Sequence, residues 1–221
     1  MSKPSIQAVL FDLDGVLVDT PRYHAIAWQT VLSSLGGSIT EEMVFLNEGR
    51  KAEEILIQLL NEVGLSPSAA DLDLLVEKKR EYFRRIAKVH FYPHTLDVIR
   101  KLKSWGMQLA IVSGCAKSSM QNVLTESQKN MFDLIQTSDD VPKAKPNPEP
   151  YDLARKKLKI KREACLAVEN APLGITSAKR AGMMCVAVES TLGREYLKEA
   201  DYVIPNIGAL LALPVFNHKT H

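Results

Sequence analysis

The stretch "VLFDLDGVLVDT", Val9 to Thr20, runs an apolar segment into two aspartates two residues apart and closes the pair with Gly15. Side chains at i and i+2 leave an extended strand on the same side, so Asp12 and Asp14 project from its carboxyl end toward one point. Open parallel sheets bind ligands just outside that end. Two carboxylates placed there repel each other unless a cation lies between them or they divide their tasks. One can attack phosphorus to give an acyl phosphate, and the other can serve as general acid and base. Asp-x-Asp-Gly by itself also occurs in ordinary turns and in calcium loops. A calcium loop requires further oxygen ligands at set steps, and here Val16, Leu17 and Val18 follow instead.

Further apolar runs of strand length follow: Leu109 to Val112, Leu134 to Gln136, Leu166 to Val168, Cys185 to Val188 and Tyr202 to Ile204. Together with Ala8 to Phe11 they are continuous rather than alternating, which suits strands covered on both faces. Segments of helical period lie between the later runs, marked by Leu96, Ile99 and Leu102, by Tyr151, Ala154 and Leu158, and by Ile175, Ala178 and Ala181. This alternation predicts an α/β fold, a doubly wound Rossmann-like parallel sheet. Around 70 residues after the first strand break the rhythm and read as helix throughout. Thr20 is placed to cap a helix with Pro21 at its first position, and His24, Ala27, Trp28, Val31, Leu32 and Leu35 fall on one stripe. A second stripe holds Ile55, Leu56, Leu59, Leu60 and Val63, and a third holds Leu72, Leu75, Val76, Phe83 and Ile86. The expected organisation is a core of residues 1–19 and 90–221 with an inserted helical domain at 20–89. The tail after Pro214 reads as loose.

The 221 residues are enough to bury a substantial core without staples. Twenty-eight Lys and Arg against 26 Asp and Glu leave no basic run that reads as a nucleic-acid or membrane patch. No apolar stretch has the ~20 residues that span a bilayer. Cys115, Cys165 and Cys185 are too scattered for a disulfide framework or a metal motif, which fits a reducing compartment and a cytoplasmic location.

"DLDGVLVDT" resembles the first motif of the haloacid dehalogenase-like hydrolases, in their phosphatase and phosphomutase branch. Three more motifs then follow in the family's order: Ser113 and Gly114 in "LAIVSG", Lys145 in "KAKPNPEPY", and Glu169 with Asn170 in "LAVENAPLGITSAKRAGM". The resemblance implies Mg²⁺ as cofactor. It makes Asp12 the nucleophile and a metal ligand, and Asp14 the acid and base whose backbone carbonyl also touches the metal. Ser113, Gly114 and Lys145 would hold the phosphoryl group, and Glu169 and Asn170 would complete the metal shell. Asn170 departs from the family's pattern, which has an acid there, so one negative charge near the cation is missing.

The inserted helices resemble the family's cap, which closes over the site and sets specificity. "PRYHAIAWQTVL" resembles the cap entrance of β-phosphoglucomutases and implies a site role for His24; Lys78 in "EKKREYF" aligns loosely with a sugar-contacting lysine. The mutase's second-phosphate arginine would fall on Ala52, with Arg50 and Lys51 as near neighbours. A mutase depends on that second clamp more than a phosphatase does, so the expected activity is a phosphatase for a small phosphorylated metabolite. A sugar phosphomutase is the alternative, and a phosphate-binding module without turnover is a third reading. Dehalogenation is disfavoured by Asp14, and phosphonate hydrolysis by the lack of a cap lysine that stands out as a Schiff-base nucleophile. The amide at 170 predicts activity that requires unusually high Mg²⁺ unless Glu169 takes the direct position; titration of activity with Mg²⁺ checks this, and saturation at micromolar concentration would refute it.

Overall fold

The computed structural model describes residues 6–66 and 69–219. Each of the six apolar runs forms a strand: β1 (Ala8–Phe11), β2 (Gln108–Val112), β3 (Leu134–Gln136), β4 (Cys165–Glu169), β5 (Met184–Val188) and β6 (Tyr202–Ile204). They pair in parallel in the order β3-β2-β1-β4-β5-β6. The chain turns back on its order at β1, whose neighbours β2 and β4 start the two halves of the sheet. That change of direction opens a crevice at the carboxyl end of β1, where Asp12 begins.

The helices are α1 (Pro21–Ser33), α2 (Glu41–Phe45), α3 (Ala52–Glu62), α4 (Ala69–Ile86), α5 (Thr95–Ser104), α6 (Lys117–Met120), α7 (Glu126–Lys129), α8 (Glu149–Leu158) and α9 (Pro172–Arg180). Strand alternation sorts the core into two layers. Val9, Phe11, Leu109, Ile111, Leu166 and Val168 face α5 and its Val98, Ile99 and Leu102. The opposite face is built of small residues, including Ala8, Ala110, Ala167, Cys165, Cys185 and Ala187, and takes Tyr151 and Ala154 of α8 and Ile175 and Ala178 of α9. All three cysteines are free thiols. Among the described residues no helix is long and apolar enough to cross a membrane.

Helices α1 to α4 share an apolar cluster centred on Trp28, Val31, Leu32, Leu56, Leu59, Leu75 and Val76, which Leu192 of the core joins, while Ala27 and Phe83 pack into the core cluster. The chain leaves the core along 17–19 and returns along 90–92, and the two connections are tied together. Asp19 N–H donates to His90 O at 3.1 Å, and Tyr92 N–H donates to Leu17 O at 3.0 Å.

Two sequence expectations are corrected. Leu35 lies past the end of α1 and is exposed, because the turn at 34–36 points it away from the stripe. The tail after Pro214 is not loose as far as it is described: Pro214–Lys219 forms a 3-10 turn, and Phe216 is fully buried with its ring 5.6 Å from that of Trp105, while Thr220 and His221 lie outside the described residues. Truncating a buried phenylalanine typically costs about 3–5 kcal/mol, so Phe216→Ala is expected to lower unfolding stability by that amount in urea titrations.

Candidate active site

The crevice above β1 is crossed by a buried ammonium group. Lys145 Nζ donates to Asp12 Oδ1 at 2.6 Å and to Val112 O at 2.9 Å, and lies 2.7 Å from Glu169 Oε1. Three neighbouring strands, β1, β2 and β4, thus deliver their carboxyl-end groups to one cation. Tyr151 of α8 donates to the same Glu169 oxygen at 2.5 Å. Burial pushes Asp12 up to about 8, with Glu169 and Asp14 adding to the effect against the opposing pull of Lys145. Burial also opposes the charge of Lys145, but Asp12 and Glu169 outweigh it and raise its pKa above the usual lysine range.

Asp14 meets a different set of partners. Thr20 Oγ1 donates to its Oδ1, and His24 Nε2 lies 3.3 Å from the same oxygen. Burial works against the Asp14 charge, but the contacts with His24 and Thr20 hold its pKa below the usual carboxylate range. Lys79 Nζ lies 2.6 Å from His24 Nδ1. An ammonium has only protons to give, so Nδ1 accepts, Nε2 carries the ring proton, and that proton points at Asp14. The imidazole stacks on Phe83 with ring centroids 4.1 Å apart. Lys79 sits 5.2 Å from the centre of the Trp28 ring and 5.4 Å from that of Phe83, contacts that favour a cation. Burial nevertheless pulls Lys79 down to about 8.

A cavity of about 350 Å³ opens over these groups, a size suited to a small ligand. Asp12, Asp14, His24, Arg50, Lys51, Lys79 and Gly114 all line it, together with Arg80 and Arg84, which are paired with Glu77. Ser113 is buried beside it, its Oγ accepting the Cys115 N–H at 3.1 Å. Lys78 is exposed and lies outside this cavity, against a separate surface groove with Glu81 and Arg85. The α4 phase explains the difference, because Leu75, Val76, Lys79 and Phe83 share the inward stripe while position 78 is turned outward. A lysine does stand out in the inserted helices, then, one residue from the expected one. Thr20 is likewise reassigned: its hydroxyl goes to Asp14 and makes no cap for α1.

Asn170 is fully buried. Its Nδ2 donates to Glu48 Oε2 at 3.0 Å and to Thr191 Oγ1 at 3.2 Å. Asn170 Oδ1 and Glu48 Oε1 are buried with no hydrogen-bond partner. Glu169 Oε1 is engaged by Lys145 and Tyr151. Glu48 and Lys79 are site residues that the sequence does not single out, helical phase being the available signal for Lys79; Thr20 and Tyr151, expected as a helix cap and a packing residue, instead meet Asp14 and Glu169. Among the described residues, no three His, Cys, Asp or Glu side chains form a ready-made metal cage.

The loop that carries Glu48 rests directly on the core. A Cβ on Gly114 would stand 2.9 Å from Gly49 O and 3.1 Å from Arg50 O. Gly49 itself has φ +98° and brings its backbone against the Lys145 side chain.

The sequence profile of the haloacid dehalogenase-like hydrolases matches residues 9–188, and the chain belongs to that family. Its relatives include the validoxylamine A 7'-phosphate phosphatase of Streptomyces hygroscopicus subsp. limoneus, 26% identical over 91% of this chain and 94% of that protein. The β-phosphoglucomutase of Bacillus subtilis is 28% identical over 83% of each chain. Among solved structures, a β-phosphoglucomutase from Clostridium difficile superposes with a TM-score of 0.82 at 26% identity, covering 93% of each chain. The fold is that of the family, and the family relatedness supports phosphoryl-transfer chemistry of the phosphatase and phosphomutase kind.

Gly114→Ala is expected to push the 48–50 loop off the core and to lower kcat/KM about 10–100-fold, measured by steady-state kinetics on any accepted phosphate ester.

Proposed function

We propose that the chain is a Mg²⁺-dependent phosphatase for small phosphorylated metabolites, working through an aspartyl-phosphate on Asp12. The observation that carries this reading is the unequal treatment of two adjacent carboxylates: Lys145 grips Asp12, whereas Thr20 and His24 grip Asp14. Neighbouring acids held by different partners take different roles.

Lys145 occupies Asp12 Oδ1 and leaves Oδ2 to attack phosphorus. As that bond forms, the bond from phosphorus to the ester oxygen breaks, and the leaving oxygen takes a proton from Asp14. An arriving phosphate repels negative charge on Asp14 and favours the protonated form that this step needs. The contacts with His24 and Thr20 favour the ionised form, which suits the second half. There Asp14 takes a proton from water, the water oxygen bonds to phosphorus, and the bond to Asp12 breaks to release inorganic phosphate. Ser113, Gly114 and Lys145 would hold the phosphoryl oxygens. His24 and Lys79 act as positioning residues that fix the Asp14 carboxyl, and the inserted helices act as the cap that excludes water.

The residues fit a hard cation, since the donors are all oxygen and two buried oxygens lack partners. Asp12, the Asp14 carbonyl and Asn170 would hold Mg²⁺, which supplies positive charge to the phosphoryl oxygens. Glu169 is committed to Lys145 and Tyr151, which disfavours it as the direct ligand.

A second reading, sugar phosphomutase, draws support from Arg50 and Lys51, which line the cavity although the expected clamp position is Ala52. A panel of phosphorylated metabolites assayed with Mg²⁺ for phosphate release, beside β-glucose 1-phosphate interconversion, separates the two. Asp12→Asn is expected to abolish both activities and Asp14→Asn to reduce kcat about 10²–10⁴-fold. A wild type as inert as Asp12→Asn would instead indicate a binding module.

A further inference from the structure

We infer that Glu48, carried on the loop between α2 and α3, is the acid that replaces the charge missing at Asn170, so that a cation is held by core and inserted helices together. The inference rests on the Mg²⁺-dependent reading above and adds a ligand that the core motifs do not contain.

Three observations converge. Glu48 reaches from the inserted helices to the core, where its Oε2 accepts from Asn170 Nδ2 at 3.0 Å. The oxygen on each of these two side chains that this contact does not use, Glu48 Oε1 and Asn170 Oδ1, is buried without a partner. An unpaired buried carboxylate or amide oxygen is costly unless something positive approaches it. Third, the two lysines nearest the aspartates are engaged elsewhere, Lys145 by Asp12 and Glu169 and Lys79 by His24, so that among the described residues Glu48 has no cationic side chain bonded to it.

The site that looks depleted in the core is therefore complete only when the 48–50 loop is seated against Gly114 and Lys145. Reciprocity follows: a cation that binds the seated state more tightly must favour seating by the same factor. Mg²⁺ acts here as a clasp between the two parts of the chain as well as a partner of the phosphoryl group.

The test uses the full chain and Mg²⁺ alone, without substrate. Isothermal titration calorimetry of the wild type, Glu48→Gln, Asn170→Asp and the double variant measures the dissociation constants. Glu48→Gln is expected to weaken Mg²⁺ about 10–100-fold, and the loss should shrink markedly when Asn170→Asp restores the charge in the core. Unchanged affinity in Glu48→Gln overturns the inference, as does an equal loss in both backgrounds. Small-angle scattering provides a readout that needs no variant to fold: Mg²⁺ should compact the wild type, and no compaction also overturns the inference. A wild type that binds no Mg²⁺ while still releasing phosphate would instead refute the metal in the reading above.

Discussion

The bond on which the rest of the structure turns is the one from Lys145 to Asp12, with Glu169 on the far side of the same ammonium group. A charge this deep is tolerated only because both carboxylates and a backbone carbonyl meet it, and removing one member of such a set commonly costs about 3–5 kcal/mol. Its geometric effect is as important as its energy. Asp12, Val112 and Glu169 lie at the ends of three adjacent strands, so the lysine ties β1, β2 and β4 at the height where the sheet changes direction. The site does not sit on a finished fold; it is one of the fastenings of the sheet.

A second lysine serves the opposite wall. Lys79 belongs to the inserted helices, is boxed by Trp28 and Phe83, and acts on Asp14 through one imidazole. The two aspartates that share a strand end are therefore governed from two directions, one from within the sheet and one from above it. Their different behaviour is a property of the closed arrangement as a whole.

The sheet was legible because continuous runs such as Leu109 to Val112 have few alternatives once their length and flanking turns are considered. The core residues of the candidate site were legible as ordered motifs, and the structure brings Asp12, Lys145 and Glu169 of those motifs together. What periodicity could not supply was direction at single-residue precision. Lys78 and Lys79 are identical in composition and differ only in which way α4 turns them. Thr20 has the right chemistry for a helix cap, but Asp14 competes for its hydroxyl and wins. Glu48 lies far from Asn170 in sequence, in a loop whose placement depends on the packing of α1 to α4, and no local pattern reports such a contact. Phe216 stands alone as an aromatic among the polar residues near the C-terminus, and its place in the main core, beside Ile207, Leu210 and Trp105, depends on packing that no local periodicity reports.

The paired connections at 17–19 and 90–92 bring the exit and re-entry of the chain side by side. The core loses almost nothing by having a long excursion between those points, because loop closure depends only weakly on length when the ends already meet. Helices α1 to α4 are thus an attachment on a common stem. The stem therefore frees the length and outer surface of these helices from the sheet, while His24, Lys79 and Glu48 stay tied to it through Asp14 and Asn170.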